Sequence, residues 1–414
     1  MPRPSSSPII PPRVHSYLRA RLSIQMFLCG AINGAWQPVL PPYLKQLGLG
    51  EFEIAVCLAT VPVATIITPL LAGQAADRWF ASERLVSLLS LAAGLLMFLA
   101  RPIVAFVPFV SVFFVAMLFA APIIPMSTSL SLQNLADGSR DFPIVRACMT
   151  LGHVSGANLL SLWLWLTHGS FRDCLLVSGV LALLNAAYSL TLPNTPPRRD
   201  TAGRSAIGRA AAMLRDPGTA LFFVLLFLVQ LFGTSYYARG PLFLLEEGVS
   251  KEGLSSLMSV GQITEIFVVL LLPFIFGRWG AKGTIAVGIA AWATRFFCWS
   301  LGASVVTLVA AVALHGVCFA CARIAATIYI DRICPRDARS SAQSLLSLGV
   351  DGSGNFLGNF LIGAVVTHYT LGGTVHWHSV WLVPAVGCAA VFAVFVAAFR
   401  ARPGPVETPL PLRP

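Results

Sequence analysis

The sequence predicts an all-α membrane protein: twelve transmembrane helices in two pseudo-symmetric six-helix bundles. Three observations predict it. The 414-residue chain is 56% hydrophobic and only 11% charged, whereas soluble chains carry about 25% charged residues. Its apolar residues fall in continuous runs able to cross a ~30 Å hydrocarbon layer at ~1.5 Å per residue. One polar stretch, 193–217, divides those runs into six and six. A soluble enzyme, a disordered chain and a disulfide-built secreted domain are excluded, because none could cover its core with so little charge. Runs that do not alternate exclude an outer-membrane barrel.

The elements follow in order. Residues 1–21 form a Pro/Ser/Arg-rich tail. The first apolar run begins near Leu22, too deep and too long for a cleavable leader, so none is expected. The N-terminal bundle, 22–192, comprises spans at 22–44, 53–75, 84–100, 103–130, 144–167 and 173–192. The linker 193–217 follows. The C-terminal bundle, 218–399, comprises spans at 218–239, 253–277, 282–302, 304–330, 338–366 and 377–399, and 400–414 form a second tail. The runs contain Gly and Pro, which spanning helices tolerate. The turns after the second and eighth spans echo one another as GQAADRWF and GRWGAKG.

Charge sets the orientation. The net charge is +11, but the basic residues recur between spans rather than on one face, which argues against a nucleic-acid partner. One set of loops carries 21 Lys and Arg, the opposite set 5. The positive-inside rule then puts both termini in the cytoplasm of an inner-membrane protein. The nine cysteines are odd in number and mostly lie within apolar runs, so no disulfide framework is expected. Cys318 and Cys321 read as two small apolar residues rather than metal ligands. No phosphate-binding loop, nucleophile elbow or metalloprotease motif is present. Neither an enzyme nor a cofactor or metal is expected, and an ion or substrate gradient must supply the energy.

Two bundles joined by a basic linker suit a transporter whose site lies between the halves near the midplane. Glu265, Arg295, Arg323 and Asp351 lie inside apolar runs, where each costs roughly 2.5–3.5 kcal/mol at a helix centre. Gln262 and Glu265 share a face at i, i+3. An amide beside a carboxyl can hold hydroxyls or a base edge, and a carboxyl taken out of water can carry a proton. The alternative is a helix–helix hydrogen-bond clasp. Arg146, Thr150 and His153 form a stripe at i, i+4, i+7. Arg146 could instead reach lipid headgroups, and His153 could be a packed donor. Asp351, Asn355 and Asn359 form another stripe. Asp351 is either a second ionisable group or the partner of Arg295 or Arg323. Asn33, Gln37 and Trp36, with Gln230, would suit a neutral polar ligand with a flat face. Asp77 and Arg78 read as a conformational latch.

These residues resemble the major facilitator superfamily, and within it the nucleoside:proton symporter family, from about Phe27 to Gly363. The most specific pieces are FLCGAINGAW, ITPLLAGQAADRWFASERLV, SLQNLADGSRDFPIVRACMTLG and SVGQITEIFVVLLLPFIFGRWGAKGTIAVGIAAWATRFF. The resemblance implies a monomeric secondary transporter of a small polar solute, nucleosides foremost, with a proton as coupling ion. It places substrate-binding roles on Arg146, Thr150, Gln230, Gln262, Glu265 and Phe319, to which the residue reading adds Asn33. Glu265 and Asp351 are the proton-coupling candidates. The chain departs from the family at Ala320, where an acid is expected, at Gly233 for an Asn, at His153 for an aromatic residue, and at Asp351 for a frequent Asn. A related branch, resembling the phenylpropionate and oligosaccharide:proton symporters, shares the early Gly-Ala and Pro-x-Tyr pattern and the span 8 Glu. A membrane receptor is the reading without transport.

Overall fold

The computed structural model of the chain describes residues 12–135, 137–196, 213–302, 304–334 and 339–402. Most of the 193–217 linker and of the two tails lies outside these residues, as do the side chains of Asp77 and Arg78.

In chain order the helices are α1 (Pro12–Trp36), α2 (Glu51–Arg78), α3 (Ser82–Ala100), α4 (Phe106–Asn134), α5 (Gly138–Thr167), α6 (Asp173–Ser189), α7 (Pro217–Glu246), α8 and α9 (Lys251–Ser300), α10 (Val305–Ile333), α11 (Arg339–His368) and α12 (Trp377–Ala398). A turn at Pro38 breaks α1 from its continuation, Leu40–Gln46. The run Lys251–Ser300 is two helices divided at Gly280, whose φ of 63° and ψ of −175° are open only to glycine. Seven helical runs among the described residues are long and apolar enough to qualify as spans on those grounds alone, one of them being the α8–α9 pair. The runs that fall short are α1, α5 and α11, which carry polar stripes, and the 17-residue α6.

Large apolar side chains such as Phe267, Leu270, Leu271 and Phe274 stay exposed along α8. An apolar outer face of this extent suits lipid as the solvent. Between α11 and α12 a two-residue hairpin pairs Thr370 with Val375 and Leu371 with Thr374. Gly372 and Gly373, at φ 58° and 83°, supply the left-handed turn it needs. This small sheet is an addition to the expected all-α fold.

In the first half α1 packs on α5 and α6, and α3 packs on α4 and α6; in the second half α7 packs on α11 and α12. The halves meet where α5 faces α8 and α2 faces α11. Helices α1 and α5 touch backbone to backbone. A Cβ on Gly30 would sit 1.9 Å from the Met149 carbonyl oxygen, and one on Gly152 would sit 2.0 Å from that of Phe27. Glycines thus bring the two helices closer than any side chain would permit.

Candidate functional site

Among the described residues, the hydrogen bonds joining the halves all lie toward the end that carries the α1–α2 and α7–α8 turns. Arg239 on α7 is fully buried and pairs through Nε with Glu51 Oε2 at 2.8 Å. The expected span 218–239 ends at Arg239; the helix instead continues to Glu246, because the Ser235–Glu246 segment buries an apolar face. Lys251 Nζ donates to the Gly169 carbonyl at 2.8 Å. Ser256 Oγ donates to Asn158 Oδ1 at 2.8 Å, Ser256 N to Ser161 Oγ at 3.1 Å, and Asn158 Nδ2 to Ser259 Oγ at 3.2 Å.

Farther along the seam these bonds cease and half-buried polar groups begin. Arg146 on α5 and Glu265 on α8 lie close enough for their charges to act on one another. Thr150, one turn from Arg146, is half-buried as well. Gln262 lies one turn from Glu265 and is nearly buried, its Nε2 donating to Tyr237 Oη at 2.7 Å. A carboxyl, a guanidinium, a hydroxyl and an amide thus line one seam between halves.

Behind Gln262 stands a polar cluster that the sequence does not announce. Tyr237 Oη is 3.2 Å from His315 Nε2, and His315 Nδ1 is 3.4 Å from Arg295 Nη1. Arg295 is fully buried, donates Nε to the Ala311 carbonyl at 2.9 Å, and lies 3.4 Å from the centroid of the Tyr236 ring. Carbonyls and a π face replace the counter-ion that a buried cation otherwise needs. Tyr236, Tyr237 and His315 give no signal in the sequence because an aromatic residue or a single His is ordinary within a span. Arg295 is visible there only as an expense.

The other candidates are dispersed. Gln230 Nε2 donates to Asn355 Oδ1 at 2.7 Å, and Thr234 Oγ1 donates to the same oxygen at 2.9 Å. Phe319 stacks on His315 with centroids 6.0 Å apart. His153 is half-buried on α5, its Nε2 without a partner among the described residues. Asn33 lines a cavity of about 20 Å³ inside the first bundle, with Trp36 and Ser178, rather than the seam. Ala320, at the position expected to carry an acid, is fully buried. Asp351 is held by Arg323: Nε lies 2.8 and 3.0 Å from its two oxygens and Nη2 lies 2.6 Å from Oδ2. Of the three roles left open for Asp351, the geometry supplies the Arg323 partnership. Both residues lie in π-helical stretches, Cys318–Ile324 on α10 and Ser347–Gly352 on α11. Such bulges are frequent at functional sites.

The sequence model of the nucleoside H+ symporter family matches residues 17–403. The chain is 30% identical to the putative nucleoside transporter YegT of Escherichia coli K12, over 92% of this chain and 93% of that one. It is 28% identical to the xanthosine permease of the same organism, over 92% and 95%. The crystal structure of nucleoside transporter NupG superposes with a TM-score of 0.82 at 24% identity, over 92% of this chain and 98% of that one. A bacterial homolog of the human lysosomal transporter Spinster, solved inward-facing and unoccupied, superposes at 0.72 with 15% identity, over 94% and 96%. The twelve-helix major facilitator fold is thereby established, and the chain is an integral membrane transporter of a small molecule rather than an enzyme, a member of the nucleoside H+ symporter family.

Proposed function

We propose that the chain carries nucleosides across the inner membrane together with protons, by alternating access about the α5–α8 and α2–α11 seams. Its termini are assigned to the cytoplasm, so the hydrogen-bonded end faces outward and the structure is the inward-facing state. Gln262, Thr150 and Arg146 line the seam where the substrate is assigned, the amide and hydroxyl meeting its polar edges; Gln230 and Phe319, engaged with Asn355 and His315 in this state, are assigned to the substrate site by the resemblance. Asn33, on the closed cavity of the first bundle, is assigned to the packing of that bundle. The site draws on one chain only, which fits a monomeric unit. Asp77 and Arg78, at the cytoplasmic end of α2, are assigned to the latch of the opposite state.

Glu265 is the coupling acid. The observation that carries this is its place: a half-buried mid-span carboxyl facing Arg146 across the seam. A protonated Glu265 can be enclosed without burying its own charge, whereas a carboxylate not paired with Arg146 would oppose closure. Once the proton leaves toward the cytoplasm, the carboxylate attracts Arg146 and resets the seam. Asp351 is the weaker candidate because Arg323 already occupies both its oxygens.

Glu265→Gln keeps the shape and hydrogen bonding but cannot titrate. In proteoliposomes with an imposed pH gradient, it is expected to abolish accumulation of labelled nucleoside while preserving counterflow, which needs no net proton movement. Unchanged accumulation would remove Glu265 from the coupling role.

A further inference from the structure

The cluster behind Gln262 has a direction, because one of its members can only donate. A guanidinium has no acceptor. Arg295 Nη1 lies 3.4 Å from His315 Nδ1, so Nδ1 must be the acceptor and the ring proton must sit on Nε2. Nε2–H then donates to Tyr237 Oη at 3.2 Å. Gln262 Nε2 donates to the same oxygen at 2.7 Å. The Tyr237 oxygen therefore accepts twice, filling its two lone pairs, and spends its own hydrogen on neither neighbour. Gln262, having turned its amino group to Tyr237, is left with Oε1, which accepts no hydrogen bond from the described residues. The chain of donation starts at a fully buried cation and ends in an O–H and a C=O for which no described residue supplies a further partner. Tyr237 is half-buried, and its ring is held by Tyr236, centroids 4.7 Å apart, and by His315 at 5.5 Å. Neither group can turn away without breaking a bond behind it.

We propose that Tyr237 is a substrate-contacting residue. Its hydroxyl donates to an acceptor on the solute while Gln262 Oε1 accepts from a neighbouring donor, and Arg295 and His315 are positioning residues that fix this polarity. The matching chemistry is an acceptor next to a donor. A nucleoside offers it in two places, the ribose hydroxyls and the edge of the base. This deepens the nucleoside reading above and rests on it.

The test is binding to the purified full chain, by titration calorimetry, of a parent nucleoside, its 2′-deoxy and 3′-deoxy forms, and base analogues in which a ring nitrogen acceptor is replaced by C–H. Tyr237→Phe keeps the ring and removes only the hydroxyl. It is expected to weaken the parent about tenfold. One analogue should bind the unaltered protein about tenfold more weakly than the parent and lose nothing further in Tyr237→Phe, since the missing acceptor and the missing donor are the same bond. A deoxy form in that role assigns the ribose; a base analogue assigns the base. His315→Phe retains the stacking but interrupts the relay, so its loss should match that of Tyr237→Phe and should not add to it in the double variant. Equal loss for every ligand in Tyr237→Phe, or additive losses in the double variant, would overturn the proposal while leaving nucleoside transport intact. If His315→Phe does not fold, the analogue series with Tyr237→Phe decides alone. No binding of any nucleoside to the unaltered protein would overturn the substrate reading and this inference together.

Discussion

Asp351 and Arg323 are half-buried at mid-span, joined by three short contacts between α10 and α11. Removing one member of such a pair leaves the other charge without its counter-ion, which costs more than replacing both by apolar groups. Asp351→Asn is therefore expected to lower the melting temperature by several degrees, and Arg323→Met with Asp351→Leu to recover most of it. Recovery of accumulation along with stability makes the pair a strut; a stable double variant that cannot accumulate would return Asp351 to the proton path. The sequence shows these two charges and their alternatives, because any ionisable residue in an apolar run is conspicuous. It cannot show which cation meets which acid, since that depends on how α10 and α11 are rotated, and each carries a π-helical stretch that shifts the register of every later residue. Glu265 is legible for the same reason as Asp351, and Gln262 because it shares a helix face with Glu265 at i, i+3. Tyr237 is not, because its importance lies in the direction of a hydrogen bond made elsewhere.

At the scale of elements, some spans are legible almost to the residue, whereas the expected 22–44 span is a helix from Pro12 to Trp36 with a break before Leu40–Gln46. The expected 84–100 span is the helix Ser82–Ala100, and 377–399 is Trp377–Ala398. Hydropathy marks where a chain enters and leaves lipid, and little else competes with that signal. The extension of α7 to Glu246 is hidden because Arg239 resembles a loop residue until Glu51 is brought beside it. How helices pair is written more faintly, in glycines. Gly152 faces the Phe27 carbonyl so closely that a methyl group must push α1 and α5 apart. Gly152→Ala is expected to cost about 1–3 kcal/mol, the usual range for overpacking. Gly277 sits in the same kind of helix, but a Cβ there would meet nothing within 4 Å, so it should accept Ala with little or no loss. A thermal melt of the two variants makes the comparison, and equal melting temperatures would mean that α1 and α5 are not held as described.

For the whole molecule, the buried Arg239–Glu51 pair is, among the described residues, the one ion pair that joins the two halves. A cation with 0% exposure, cut off from its carboxylate, is costly to keep buried. Glu51→Gln is expected to shift the population toward the state open at this end. A cysteine placed at Ala55, which lies against Gly363 of the other half, should then react several times faster than in the parent with an impermeant maleimide added on the side proposed to face outward. An unchanged rate would show that the closed end does not depend on this pair.

Helix α5 joins two neighbours in two different ways. Toward α1 it is fitted glycine to carbonyl, a joint with no room for a side chain at Gly30 or Gly152. Toward α8 it presents Asn158 and Ser161 to Ser256 and Ser259. A hydroxyl or amide can trade a protein partner for water at nearly equal free energy. The first contact behaves as a weld and the second as a lubricated bearing. Along α5 and α8, the surface that parts and rejoins in every cycle is therefore one whose hydroxyls and amides can take water in exchange, which leaves the Arg239–Glu51 pair as the costly contact to separate.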